Sequence, residues 1–305
     1  MSEANRWGSY HEGELAVQRR AGVARKGLKA SQMYHAGMPA GVRRFLPLQQ
    51  IAVLATVDSD GRLWASLRSG QPGFLQAIDD QILQIGGYGH PGDPLLANLA
   101  SHAAMGMLVI DLAGRNRLRL NGTAKALADG EILLATKQVY GNCQKYIQAR
   151  AIIGERTPLI ATSAEGVELN EHQQNWLAQT DTFFIATAHS RAGADASHRG
   201  GKPGFVRIED ERRLIFPDYR GNEMFNSLGN IALNSRAGLL FPDLQTGNAL
   251  QVTGIAEILW EDSRILEFAG AQRLVRLMSS ESSNYWRQPI FVLSLPVTHR
   301  ISLRK

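Results

Sequence analysis

The chain says the same thing twice. The segment GRLWASLRSGQPGF from Gly61 is answered by GADASHRGGKPGF from Gly193. Further on, GMLVIDLAGRNRLRLNGTAKAL from Gly106 is answered by GLLFPDLQTGNALQVTGIAEIL from Gly238. Pro72 and Pro203 lie 131 positions apart, and the pairs Asp111/Asp243 and Gly122/Gly254 lie 132 apart. A period this long exceeds that of a solenoid repeat and matches a whole domain, so two copies of one fold are expected. Functional information then sits where the copies differ and in the seam between them.

Composition agrees with two domains. A length of 305 residues, 44% of them hydrophobic, supplies two buried cores, and the ordinary charged fraction argues against wholesale disorder. The net charge is +5, but lysines and arginines alternate with carboxylates and form no nucleic-acid arm. The excess suits a small anionic ligand, so neither nucleic acid nor a membrane is expected as a partner. Cys143 is the one cysteine, which rules out an intramolecular disulfide and points to a reducing, cytoplasmic setting. The start of the chain lacks the apolar core of a signal peptide, and no stretch is long enough to span a bilayer. The sequon Asn121-Gly122-Thr123 carries no meaning in such a compartment.

Three parts are expected: a helical lead over 1–38, a first barrel over 39–155 and a second over 156–305. The lead has a helical pattern from Glu12 to about Ala24. Pro39 opens a short helix with Val42, Phe45 and Leu46 on its apolar face, and Asn170 caps its counterpart through Trp176 and Leu177. Each helix runs into a continuous apolar strand, Ile51–Val57 or Thr182–Ala188. Polar turns, short strands, a helix near Leu95–Ala100 or Met224–Ile231, and two long strands follow. Turns at Gly114 and at Thr246-Gly247 join the long strands as hairpins. Residues 151–166 read as the linker. The pattern is that of a small β-barrel with flanking helices, given twice.

The second copy concentrates chemistry in two loops, Ser197-His198-Arg199-Gly200-Gly201-Lys202-Pro203-Gly204 and Pro217-Asp218-Tyr219-Arg220-Gly221-Asn222. Arginine grips phosphate through a bidentate fork, and adjacent glycines let backbone N–H groups approach an anion. The helix that follows aims its N-terminus at the same place, and Arg207 adds charge on the strand between. Singly, either loop is an ordinary solvated turn; together they suggest a site for a phosphorylated ligand of nucleotide size. The first copy keeps Arg68 opposite Arg199, but Leu67 stands for His198, Gly87 for Asp218, Gly89 for Arg220 and Pro91 for Asn222. Arg119 stands for Gln251, and Arg115, Arg117 and Arg119 alternate so as to share one strand face. The first copy is a worn site or a wall for its partner's site. Arg68→Ala should therefore matter less than Arg199→Ala. There is no G-x-S-x-G elbow, P-loop, G-x-G-x-x-G after a strand, or histidine pair at zinc spacing. His11 with Glu14 reads as one helix face, Cys143 as a buried small side chain, and Trp176, Trp260, Tyr285 and Trp286 as core aromatics.

The strand–turn–strand carrying Arg199, the run Asp218-Tyr219-Arg220-Gly221-Asn222, the helix with Asn226 and Asn230, and Gly238 to Gly254 resemble the pyridoxamine 5'-phosphate oxidase family. The long tandem members of that family are resembled over most of the chain, including Tyr10-His11-Glu12-Gly13-Glu14-Leu15 and Gly141-Asn142-Cys143-Gln144-Lys145-Tyr146-Ile147-Gln148. The resemblance implies a mainly β fold with flanking helices: two tandem FMN-binding split β-barrels paired as a pseudo-dimer within one chain, with FMN between them. Ser197, His198, Arg199 and Gly200 map onto the phosphate-gripping strand. Pro217, Asp218, Tyr219, Arg220 and Asn222 map onto the loop over the phosphate and ribityl chain, with Asn226 beginning the helix. Gln251 maps onto the strand glutamine near the isoalloxazine ring, and Lys145 and Tyr146 complete the pocket from the first copy. Two departures speak against oxidation of pyridoxamine phosphate itself. The phosphate loop lacks the family's Ser-Arg-Lys run, and the tail from Pro296 to Lys305 does not follow the vitamin B6 enzyme's basic and histidine pattern.

The function implied is a flavin-dependent oxidoreductase of unspecified small-molecule substrate, with His198 or Tyr219 the nearest proton donor. Two rivals stand beside it. One is a non-catalytic holder of a flavin, a deazaflavin or a haem, with His198 or His299 as axial ligand. The other is a scaffold with a vestigial site. Further pairing of the tandem chain into a homodimer stays open.

Overall fold

The uninterrupted apolar run at Ile51–Val57 is a strand with two dry faces, and the rest of the architecture explains why. The structure, a computed structural model, describes residues 10–90, 92–153, 163–244, 247–279, 290–294 and 300–303. Pro91, Thr246, Tyr285, Trp286, His299 and most of the tail named above lie outside the described residues.

In the first copy, β1 (Ile51–Val57), β2 (Leu63–Ser69), β3 (Leu75–Ala77), β4 (Ile82–Ile85), β5 (Ala104–Asp111), β6 (Asn116–Ala126) and β7 (Ile132–Gly141) form one antiparallel path, β2-β1-β5-β6-β7-β4-β3. The expected linker contains two short strands, β8 (Arg150–Ile153) and β9 (Ser163–Gly166). In the second copy, β10 (Thr182–His189), β11 (Gly193–Gly200), β12 (Arg207–Asp210), β13 (Arg213–Tyr219), β14 (Arg236–Pro242), β15 (Asn248–Leu259) and β16 (Ala271–Met278) repeat that path as β11-β10-β14-β15-β16-β13-β12. The register repeats as well: Ala52 pairs with Arg68, and Phe183 with Arg199. Two late strands extend the assembly, β17 (Ile290–Ser294) on β15 and β9, and β18 (Arg300–Leu303) on β8.

Helices flank the sheets: α1 (Glu12–Arg20), α2 (Ala24–Ala30), α3 (Ala40–Phe45), α4 (Leu95–Ser101), α5 (Glu171–Gln179) and α6 (Asn226–Leu233). The lead holds two helices rather than the single expected one, because Gly22 at φ 69° ends α1 in the left-handed region. Asn170 caps α5 as its sequence suggests, accepting from the Gln173 N–H at 2.9 Å. Among the described residues no helix is long and apolar enough to cross a membrane.

Three large apolar clusters among the described residues build the barrels and their seam. Ala52, Leu54, Met107, Leu118 and Leu120 fill the first barrel, and Phe183, Ile185, Leu239, Leu250 and Val252 fill the second. The alternate residues of the same strands, Ile51, Val53 and Ala55 with Phe184, Ala186 and Ala188, meet Ala65, Leu108, Ala194, Ala196 and Leu240 in a third cluster drawn from both copies. Strand alternation thus serves a barrel interior on one face and the seam on the other. The two barrels form a pseudo-dimer within one chain.

Two matching glycines let the barrels close up. A Cβ on Gly106 would lie 2.5 Å from the Ala194 carbonyl oxygen, and one on Gly238 would lie 2.2 Å from that of Leu63. Each glycine therefore admits the other barrel's strand to backbone contact. The lead segment binds across the same junction. On α1, Gly13 meets Gly229 of α6 so closely that a Cβ there would sit 2.2 Å from its carbonyl oxygen. Tyr10 and Tyr140 cluster with Met224, joining lead, first barrel and second barrel. The lead is thus a strap over the seam rather than a separate unit.

Candidate functional site

A cleft of about 710 Å³, part of it open to solvent, lies where the barrels meet. Four elements of the second barrel wall it: Ser197, His198, Arg199 and Gly200 of β11, Pro217, Asp218 and Tyr219 at the end of β13, Asn222 and Glu223 in the loop, and Asn226 and Ser227 at the start of α6. The first barrel supplies Arg117 and Arg119 of β6 together with Asn142 and Tyr146. The period of two explains the arginines: Leu118 and Leu120 point into the first barrel, so Arg117 and Arg119 must face the seam.

Arg119 is anchored within the protein. Its Nη1 donates to the Asp195 carboxylate at 2.8 and 3.1 Å, and its Nη2 donates to the Ser197 hydroxyl at 2.6 Å. Burial works against its charge, but Asp195 beside it wins and holds its pKa above the usual arginine value. Arg199 Nη1 donates to the same Ser197 hydroxyl at 2.8 Å. Arg117 Nη1 lies 2.9 Å from His198 Nδ1, which must accept. Burial, then the nearby Arg119 and Arg199, pull the pKa of Arg117 down to about 9. Burial and four surrounding arginines, Arg117, Arg199, Arg150 and Arg119, hold His198 neutral. Asp218 pairs with Arg273 at 3.2 Å, and Arg273 lies over the rings of Phe225 and Trp260. The Nε atoms of Arg117, Arg119 and Arg199, the Nε2 of His198, the Nδ2 of Asn142 and the Oγ of Ser227 are buried with no hydrogen-bond partner among the described residues. Buried polar groups are otherwise almost always satisfied, so this concentration marks a place built for something polar. Tyr146, Glu223 and Phe225, three cleft residues, also hold left-handed φ of 66°, 62° and 60°.

Ten of the fourteen expected site residues lie at this cleft: Ser197, His198, Arg199, Gly200, Pro217, Asp218, Tyr219, Asn222, Asn226 and Tyr146. Four do not. Arg207 lies over the Phe268 ring and pairs with Glu267. Arg220 is exposed and reaches Glu223 at 3.4 Å, its carbonyl alone accepting from the Tyr146 hydroxyl at 3.0 Å. Lys145 is exposed outside the lining. Gln251 faces the opposite position of the seam, donating to the Ala65 carbonyl at 2.8 Å and to Asp93 at 3.0 Å. The reason is the pseudo-twofold: each barrel's long strand serves the other barrel's site, so the residue brought to Arg199 is Arg119. Arg115 leaves the shared face because it sits in the hairpin turn at φ 53°. Cys143 is half-buried.

The matching position of the first barrel is filled from within. Asp93 accepts from the Ser66 hydroxyl at 2.6 Å, the Leu95 N–H at 2.9 Å and Gln251. A carboxylate thus sits at the start of α4, where α6 has no side-chain cap. Arg68 Nη2 is spent on the carbonyls of Gly130 and Gly87, at 2.8 and 3.4 Å. Its Nε and Nη1 and the Gln251 Oε1 are buried without a hydrogen-bond partner among the described residues. The difference between the two positions is thus the carboxylate of Asp93 rather than full satisfaction.

The sequence pattern of the pyridoxamine 5'-phosphate oxidase family matches residues 38–166 and again 169–291. The chain belongs to the pyridoxamine 5'-phosphate oxidase family. Two matches in one chain make it a tandem member, with one copy per barrel. Solved structures similar to part of it include HupZ from Group A Streptococcus, at 12% identity over 37% of this chain and 90% of that one with a TM-score of 0.31. An FAD-binding protein from Mesorhizobium loti is 10% identical over 45% and 100%, TM-score 0.31. An FAD-binding protein from Mycobacterium smegmatis is 13% identical over 44% and 98%, TM-score 0.28. No curated protein matches the chain.

Within this tandem member the seam depends on one buried ion pair. Removing Asp195 leaves Arg119 charged and dry, so Asp195→Ala should lower stability by about 3 kcal/mol in urea unfolding. Asp195→Asn, which keeps one acceptor oxygen for Arg119, Asn121 and Tyr140 but turns the other into a donor and removes the charge, should lose somewhat less.

Proposed function

We propose that the cleft binds one flavin mononucleotide per chain, at the seam, with its phosphate on the second barrel, and that the protein is a flavin-dependent oxidoreductase. Charge carries the phosphate assignment. Arg117, Arg119, Arg199 and Arg273 bring four positive charges, and Asp195 and Asp218 bring two negative ones, while Glu223 of the lining is answered by the exposed Arg220 and Lys26 at 3.4 and 3.8 Å. Two positive charges remain, which a phosphate monoester dianion neutralises. The unpartnered arginine Nε atoms and the Ser227 hydroxyl are donors suited to phosphate oxygens, and the uncapped start of α6 adds backbone donors. Membership of the family is what points from a phosphate to a flavin.

When bound, FMN supplies the redox chemistry, so the protein needs no covalent catalyst. Its own residues anchor, orient and shield. Arg199 and Arg117 hold negative charge, Arg119 is locked by Asp195 and Ser197, and Tyr146 stacks on Tyr219 across the cleft mouth at 5.2 Å between centroids. His198, kept neutral, does not serve as an imidazolium acid; its Nε2–H is a hydrogen-bond donor. A haem reading gains nothing from this geometry, since His198 is buried edge-on against Phe184 with Nδ1 on Arg117.

The purified protein, or the protein after incubation with FMN and desalting, should show the two flavin absorption bands, and heat should release a mononucleotide identified by mass. A protein that stays colourless after FMN loading would sink this reading.

A further inference from the structure

The strap over the seam reaches into the cleft wall through one carboxyl group. The close crossing of α1 and α6 at Gly13 and Gly229 lays Glu14 against Asn226. The Glu14 carboxyl accepts the His11 N–H at 2.8 Å and the Asn226 Nδ2 at 2.5 Å, and the Tyr34 hydroxyl meets the same Nδ2 at 2.6 Å. On its other side the Asn226 Oδ1 stands 3.4 Å from Arg119 Nη1, within the cleft lining. One side chain therefore separates Glu14 from the ligand space.

We infer that Glu14 is a positioning residue whose protonation sets how strongly the cleft holds an anion. The inference deepens the proposed function and rests on reading the cleft as an anion site. Glu14 is 4% exposed, and the one basic group within ion-pair range among the described residues is His11 at 3.5 Å. His11 is itself neutral, its pKa lowered to about 4 by burial and by His189 stacked on it. Every packed element contributes to the field at Glu14: Tyr10 and Tyr34 of the lead, Tyr140 of β7, Asp195 of β11 and Arg119 of β6. Burial dominates and pushes Glu14 up to about 8. An ionised Glu14 can only accept, which fixes the Asn226 NH2 group on it and leaves Oδ1 toward the cleft. A protonated Glu14 can donate, as can Tyr34, so the amide can turn its NH2 group to an anion, giving up only the long 3.4 Å contact of Oδ1 with Arg119 Nη1. Ionisation also adds a negative charge next to the ligand. Both effects weaken anion binding as pH rises through the Glu14 titration.

The test measures FMN dissociation constants between pH 6.5 and 8.5 for wild type and Glu14→Gln. Above pH 7 the ligand phosphate is already a dianion, and Arg117 titrates higher and is retained in the variant. Wild-type affinity should fall about tenfold as Glu14 ionises, the effect of a coupling near one pKa unit, and the Glu14→Gln profile should keep only the shallow fall that starts toward pH 8.5 as Arg117 begins to lose its proton. Calorimetry of the wild type at pH 8, in two buffers of different ionisation enthalpy, should show proton uptake on binding. That second readout stands even if the variant does not fold. A Glu14→Gln profile as steep as wild type, or FMN binding without slope or proton uptake, would overturn the inference. Inorganic phosphate supplies an independent probe: because phosphate itself gains charge over this range, the readout is its thermal stabilisation of the wild type relative to Glu14→Gln, which should shrink between pH 6.5 and 8.5 whether or not a flavin binds. Failure with FMN alone condemns the flavin reading, and a phosphate response with the same pH profile in both proteins condemns Glu14.

Discussion

Arg199→Ala should lower FMN affinity by about 30-fold or more, while Arg68→Ala should change it by less than about threefold. The two arginines occupy matching positions in matching strands, both with buried Nε atoms. What differs is the company. Arg199 spends Nη1 on a hydroxyl and a carbonyl and faces a cleft with two uncompensated positive charges. Losing a charge-assisted grip on a desolvated anion costs about 2–5 kcal/mol, and each 1.4 kcal/mol is tenfold. Arg68 instead donates to two backbone carbonyls, and the anion's place beside it holds Asp93. Its loss should appear as lowered stability, from stranded carbonyls, and not as lost binding. Fluorescence titration of both variants decides the matter; equal losses would mean that both barrels grip the phosphate.

Gly238→Val should separate the halves. Its first added carbon would lie 2.2 Å from the Leu63 carbonyl oxygen and 3.0 Å from the Trp64 Cα, both backbone positions that no rotamer change can clear. The strands must part, and the seam cluster around Val53, Leu108, Phe184 and Leu240 loses its contacts. The cost should reach about 3 kcal/mol or more. It should be read as a lowered melting temperature, dye binding to exposed apolar surface and loss of FMN together, because the cleft takes walls from both barrels. Gly106→Val, 2.5 Å from Ala194 in the mirror position, should behave alike. A variant that binds FMN normally would show that the seam does not build the site.

Much of the fold was legible because it is written twice. A nearly constant offset required two equal domains, and the continuous apolar runs Ile51–Val57 and Thr182–Ala188 were legible as strands, their burial on both faces being explained only by the seam. The interleaving of the sites was not legible from adjacency along the chain. The resemblance placed Gln251 near the flavin ring in the same site as Arg199, whereas the pseudo-twofold brings Arg119 to Arg199 and turns Gln251 to Ala65 and Asp93. The alternating arginines of β6 were the available signal, since a charged strand face beside a leucine-lined core must point at something. Glu14 and Asp195 were in view only as part of the lead motif's helix face and of the repeated strand, with no partner to name: docking of the lead across the seam brings Glu14 to Asn226, and pairing of the barrels brings Asp195 to Arg119. Arg207 and Arg220 lie apart from the cleft for the opposite reason, since the local carboxylates Glu267 and Glu223 pair with them at the surface.

Joining the halves in one polypeptide has a consequence for how the molecule behaves when scarce. A homodimer that keeps its ligand between subunits sheds it whenever subunits fall apart, so retention weakens as concentration drops. Here the partner is tethered, its local concentration is set by chain geometry, and dilution does not separate it. The tether also frees each half from having to suit both roles: a residue such as Arg119 can change without its counterpart Gln251 changing too, which a symmetric pair encoded once does not permit.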